Sequence, residues 1–119
     1  MRAFVYGTLK QGYVNHRLLE RSQFVGNGEI KGFSIYDLGP YPAIVDSKDA
    51  GEVVAGELYE IDEKTLAALD RLEGEGFLYK RRQVNVSVGE SELDAYVYVF
   101  LRDLRNAKKI EKEWRPLRC

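Results

Sequence analysis

The stretch from Leu93 to Leu101 is apolar on both of its faces, and this limits the folds open to the chain more than any other feature. At the two-residue period of a strand, Leu93, Ala95, Val97, Val99 and Leu101 fall on one side, with Tyr96, Tyr98 and Phe100 on the other. Exposing either side to water would be costly, so the strand belongs in the middle of a sheet or in the wall of a barrel. A second long strand, Leu78 to Val88, precedes it across a turn near Gly89-Glu90-Ser91.

The rest of the chain is also rich in strand signals. Arg2 to Tyr6 is a short apolar run that stops at Gly7, a first strand entering a tight loop that closes at Gly12. Asn15 is positioned to cap a short helix carrying Leu18 and Leu19. Residues 24 to 37 are strand material bent or bulged at Gly26, Gly28 and Gly32. Gly39-Pro40-Tyr41-Pro42 forces a turn. Ala43 to Val45 is a short extended piece, Ser47 to Gly51 a second turn, and Val53 to Ile61 a further strand with Glu57, Tyr59 and Ile61 on one face. One strong helix follows. Asp62 is its N-cap, Glu63 suits the positive end of the dipole, Leu66, Leu69 and Leu72 form an apolar stripe, and Gly74 ends it. The order is no regular βαβα alternation. It predicts an α+β domain with a small mixed or antiparallel β-barrel and a few packed helices.

With 119 residues the chain fits one domain, 1–119, and 45% hydrophobic with 31% charged residues supports a core beneath a solvated surface. No stretch approaches the roughly 18 apolar residues of a membrane helix, and the N-terminus lacks a secretory pattern, so a cytoplasmic protein with no membrane partner is expected. A single cysteine, Cys119, and a single histidine, His16, exclude an internal disulfide and a conventional zinc site, and no metal is expected. The net charge of −1 argues against a nucleic-acid partner. From Arg102 onward, however, seven Lys/Arg against three Asp/Glu leave a local +4. This segment, 102–119, reads as a solvated tail or helix, or else as a basic docking surface.

Glu73 is the residue that fits the pattern least. It lies seven residues after Leu66 and four after Leu69, so it shares the face of the leucine stripe. A carboxylate there costs free energy unless it is paired or functional. Partial burial and the negative end of the helix dipole both raise its pKa toward neutrality, which suits a general base. The bland reading is a frayed helix end, or a pairing with Arg81 or Arg82. Two other features are weaker alone. The glycine of Tyr6-Gly7-Thr8-Leu9 lets successive N–H groups point into one concavity, as an anion nest does, although an ordinary turn has the same residues. Tyr79 shares a strand face with Arg81 and is placed to reach back toward Glu73, or else to serve as a core aromatic.

Taken in order, these pieces resemble the gamma-glutamylcyclotransferase-like, or AIG2-like, family. The matching segments are Phe4-Val5-Tyr6-Gly7-Thr8-Leu9-Lys10 with Gly12, Asn15-His16-Arg17-Leu18-Leu19, Tyr41-Pro42-Ala43-Ile44-Val45, Gly56-Glu57-Leu58-Tyr59, Leu69-Asp70-Arg71-Leu72-Glu73-Gly74 and Tyr79-Lys80-Arg81. Lys10, Asn15, His16 and Arg17 point to the type acting on gamma-glutamylamines. The resemblance implies a barrel with an active-site cavity at one end. It makes Glu73 the catalytic carboxylate, Tyr6, Gly7, Thr8 and Leu9 the substrate loop, and Tyr79 and Arg81 further substrate-binding residues. It also implies a small gamma-glutamyl substrate, no cofactor, and intramolecular aminolysis giving 5-oxoproline and a free amine. Two alternatives use the same scaffold: a non-catalytic binding protein, and an enzyme removing a gamma-glutamyl protecting group from a biosynthetic intermediate.

Overall fold

The computed structural model describes residues 1–115. The chain runs through β1 (Arg2–Val5), a short 3-10 helix (His16–Leu19), β2 (Gln23–Lys31), β3 (Phe33–Asp37), β4 (Pro42–Asp46) and β5 (Val53–Glu60). It continues through α1 (Glu63–Glu73), β6 (Tyr79–Val88), β7 (Ser91–Phe100) and β8 (Lys108–Ile110). Five strands close a barrel in the order β1-β5-β2-β6-β7, and β4-β3-β8 form a second sheet. Barrel neighbours are antiparallel except β1 and β7, which meet in parallel at Ala3 and Tyr96. The barrel is therefore mixed, and the fold is α+β.

Strand β7 explains its own sequence. Ala95, Val97 and Val99 join Phe4, Ile30, Leu58 and Val86 in a cluster that draws on all five barrel strands. Tyr98 and Phe100 belong to a second cluster with Ala3, Val5, Tyr59, Leu66 and Leu69, beneath α1 and the 3-10 helix. One face fills the barrel and the other carries the helical layer, so both must be apolar. Strands β6 and β7 pair from Tyr79 opposite Phe100 to Val88 opposite Ser91. Gly89, at φ 59°, starts their two-residue turn. Leu101 lies beyond the end of β7 and is exposed, unlike the expected continuation of the buried face.

The helix has both predicted ends. Asp62 Oδ1 accepts from the Thr65 N–H at 2.7 Å, and Gly74 closes the helix in the left-handed conformation at φ 60°. Its stripe differs in one member, because Leu72 is 40% exposed. At 3.6 residues per turn Leu72 is rotated roughly 240° from Leu66, whereas Glu73 is rotated roughly 340° and lies between Leu66 and Leu69. The carboxylate occupies the stripe position and the leucine points away.

Two local expectations change. Asn15 precedes a 3-10 helix and makes no side-chain cap, its amide being used elsewhere. The basic C-terminal segment is not simply a solvated tail or a helix. Lys108–Ile110 pairs with β3 as an edge strand, and Trp114 is 1% exposed within the barrel-side core. Cys119 lies outside the described residues.

Candidate active site

Strand β1 stops at Val5, and the chain leaves the barrel through Tyr6 to Leu9. Tyr6 stays buried and donates its hydroxyl to the Tyr98 carbonyl at 2.6 Å. Gly7 packs so closely on Pro42 that a Cβ there would lie 2.7 Å from the proline Cγ and Cδ, which explains the glycine. The acceptors from Gly7 to Leu9 are engaged. The Gly7 carbonyl accepts from the Lys10 N–H at 3.1 Å, and the Thr8 carbonyl from the Asn15 N–H at 2.9 Å. Asn15 Nδ2 donates to Thr8 Oγ1 and His16 Nδ1 to the Leu9 carbonyl, both at 2.9 Å. Among the described residues, none accepts from the N–H groups of Gly7, Thr8 or Leu9. Three successive donors without partners among the described residues are suited to an oxyanion or carboxylate.

Glu73 faces the same space. Tyr6, Gly7, Thr8, Leu9, Glu73 and Tyr79 line one recess of about 30 Å³, together with Tyr41, Pro42 and Tyr98. Among the described residues Glu73 has no salt bridge, because Arg81 pairs with Asp70 and Arg82 with Asp46. The side chain is half-buried, and burial pushes its carboxyl up from the ordinary 4.5 to about 7. A group with that pKa is half-ionised near neutrality, as proton transfer in both directions requires.

The opposite wall is aromatic. Tyr79 donates its hydroxyl to the Pro42 carbonyl at 2.7 Å and stacks edge-on against Phe100, at 5.2 Å between ring centroids. Burial and the neighbouring Glu73 hold the Tyr79 phenol well above its usual range. Its proton and that of Tyr6 are both committed to main-chain carbonyls, so these phenols shape the recess. Arg81 does not line it. Its guanidinium pairs with Asp70 and lies over the Tyr96 ring at 4.9 Å. Asp70 in turn accepts from the Tyr98 hydroxyl at 2.6 Å. The sequence alone does not single out Asp70 or Tyr98 as neighbours of the recess. The three-residue spacing of Asp70 and Glu73 on one helix was the available signal, but the register that sets Arg81 opposite Tyr98 is a tertiary property.

The barrel thus carries a candidate small-molecule site, a recess that holds a carboxylate and three backbone N–H groups without partners among the described residues. The family model described as "Gamma-glutamyl cyclotransferase, AIG2-like" matches residues 3–116, and the chain belongs to that family. It is 36% identical over 115 residues to the gamma-glutamylcyclotransferase family protein YtfP of Escherichia coli K12, covering 96% of each chain. It is 39% identical over 97 residues to the gamma-glutamylaminecyclotransferase of Rattus norvegicus, covering 75% of this chain and 65% of the rat protein. The crystal structure of an AIG2-like protein from Mus musculus superimposes with a TM-score of 0.72 at 31% identity, covering 82% of this chain and 75% of the mouse chain.

Proposed function

We propose that this chain catalyses intramolecular aminolysis of a gamma-glutamyl amine or peptide, giving 5-oxoproline and a free amine. The observation that carries the reading is the juxtaposition in one recess of Glu73, its pKa raised, with the Gly7, Thr8 and Leu9 N–H groups, all without partners among the described residues. The substrate's α-nitrogen attacks its own γ-carbonyl carbon, forming the lactam C–N bond, and the original amide C–N bond breaks. Glu73 takes the proton that the attacking nitrogen sheds and returns it to the departing nitrogen, so the enzyme ends unchanged. The N–H groups of the loop hold the substrate α-carboxylate or the tetrahedral oxyanion. The reaction is already intramolecular, so the aromatic walls from Tyr6 and Tyr79 serve to select the folded conformer. Arg81 acts at one remove, through Asp70 and Tyr98, rather than on the substrate. The chemistry needs no cofactor.

The rat relative's name supports gamma-glutamylamines as the substrate class. A cytoplasmic setting fits this chemistry, and no helix among the described residues is long and apolar enough to cross a membrane. The test is to incubate the protein with a panel of gamma-glutamyl amines and peptides and measure 5-oxoproline. Release by the wild type and not by Glu73→Gln is expected. Binding of 5-oxoproline without turnover of any panel member would favour a non-catalytic binding protein instead.

A further inference from the structure

The recess of about 30 Å³ has room for only about two water molecules. The spacing of its walls decides what the recess can admit, and whatever holds two of those walls in register controls that spacing. One wall is the loop from Tyr6 to Leu9, which Lys10 follows, and it packs at Gly7 on a second wall, Tyr41 and Pro42, which ends a turn that starts at Asp37.

Both walls are tied to one residue of the C-terminal arm. The Trp114 carbonyl accepts from Lys10 Nζ at 3.0 Å, at the end of the loop. The Trp114 indole Nε1 donates to Asp37 Oδ1 at 3.0 Å, at the start of the turn. That same Asp37 oxygen accepts from the Gly39 N–H at 2.8 Å, so the indole bond and the turn share one acceptor. Trp114 is buried and packs on Tyr13 at 5.7 Å, while the Lys10 ammonium, itself only 6% exposed, sits over the Tyr13 ring at 5.2 Å. The arm is anchored on both sides of its approach. Lys108–Ile110 pairs with β3, and the Ala55 N–H donates to the Lys112 carbonyl at 2.8 Å. Burial lowers the Lys10 ammonium's pKa, and the Glu113 and Glu57 carboxylates act against that, so its bond to the Trp114 carbonyl sits in a charged, largely enclosed setting.

We propose that Trp114 is a positioning residue, a clamp through which the C-terminal arm sets the distance between the two walls of the recess. This rests on the recess being the substrate site, but the clamp has consequences for the loop whatever the substrate is. One oxygen of Asp37 does all the accepting, so Asp37→Asn preserves the clamp. Asp37→Ala and Trp114→Phe remove the indole bond while leaving most of the ring packing.

The experiment compares these three variants with wild type by 5-oxoproline release, thermal midpoint and amide NMR. The clamp predicts that Asp37→Ala and Trp114→Phe each lower kcat/KM roughly tenfold, as expected for misplaced walls. It also predicts shifted Gly7, Thr8 and Leu9 amide resonances in both, with Asp37→Asn within about twofold of wild type and unshifted. Trp114→Phe keeps the test open should Asp37→Ala fail to fold. Amides that move in this pattern while wild type turns over no substrate would uphold the clamp and remove the proposed reaction. Unmoved amides in both disrupting variants, or an Asp37→Asn as impaired as Asp37→Ala, would overturn the clamp even with an active wild type.

Discussion

Two carboxylates at opposite extremes of partnering separate the two largest questions about this molecule. Glu52 lies in a groove of about 1000 Å³, far larger than the recess at Glu73. It accepts from Ser34 Oγ at 2.8 Å and Ser47 Oγ at 2.6 Å and pairs with Lys109 at 3.3 Å. The two serine hydroxyls and then Lys109 hold its carboxyl below the usual range. Glu73 has none of these partners among the described residues, and burial raises it to about 7. Fully satisfied, Glu52 ties the start of β5 to β3 and the C-terminal arm. Glu73 is unsatisfied and available to a substrate. Cavity size and partnering rank these two places in opposite orders, and the proposed function follows the partnering.

The largest expected effect breaks the pair apart by activity. Glu73→Gln keeps the shape of the side chain and loses its basicity, and should cut 5-oxoproline release by about 100- to 10,000-fold. Glu52→Gln should stay within about twofold of wild type, since nothing at Glu52 approaches the recess. Equal losses in the two variants, measured on one substrate, would erase the distinction.

Stability should move in the opposite sense. Glu52 is held below its unfolded value, so its contribution is present above about pH 4.5 and is lost as pH falls through the folded pKa. Glu52→Gln should therefore cost about 1 kcal/mol at pH 7, from weakened charge-assisted hydrogen bonds. Glu73 is raised, so the native state binds more protons than the unfolded chain between about pH 4.5 and 7, and its penalty grows across that window. Glu73→Gln should be the more stable protein at pH 8 by about 2 kcal/mol, a value discounted because the side chain still meets solvent. That advantage should vanish near pH 4. Denaturant melts at the two pH values check both signs.

Much of this contrast was readable in advance, and the unread part has a common cause. Seven- and four-residue spacings placed Glu73 on the buried stripe, because helical geometry is local. The two-faced pattern of Leu93 to Leu101 required a strand with both sides covered, and β7 is that strand. The pairing of Arg81 with Asp70 was not legible, since it depends on where β6 lies against α1. Trp114 was hidden for a different reason. It is the only tryptophan in the chain, but it sits in a run dense with Lys and Arg, and a charged run reads as solvated when a single buried anchor has no periodicity.

The smallest effect expected is none. Among the described residues no group of three or more His, Cys, Asp or Glu side chains could hold a metal ion. A chelator should leave turnover unchanged, as should Cys119→Ser. Activity lost to the chelator and restored by a divalent ion would place a metal in the mechanism.

The most direct measurement of the central claim is kcat/KM for a gamma-glutamyl amine as a function of pH. In the free enzyme the essential base must be ionised, so the profile should rise with pH through a midpoint of about 7, set by the burial of Glu73. The same midpoint in the Glu52→Gln variant would confirm that the second carboxylate plays no part. A profile flat from pH 5 to 8, or a rise centred near the ordinary 4.5 of an exposed glutamate, would contradict the assignment of Glu73 as the base.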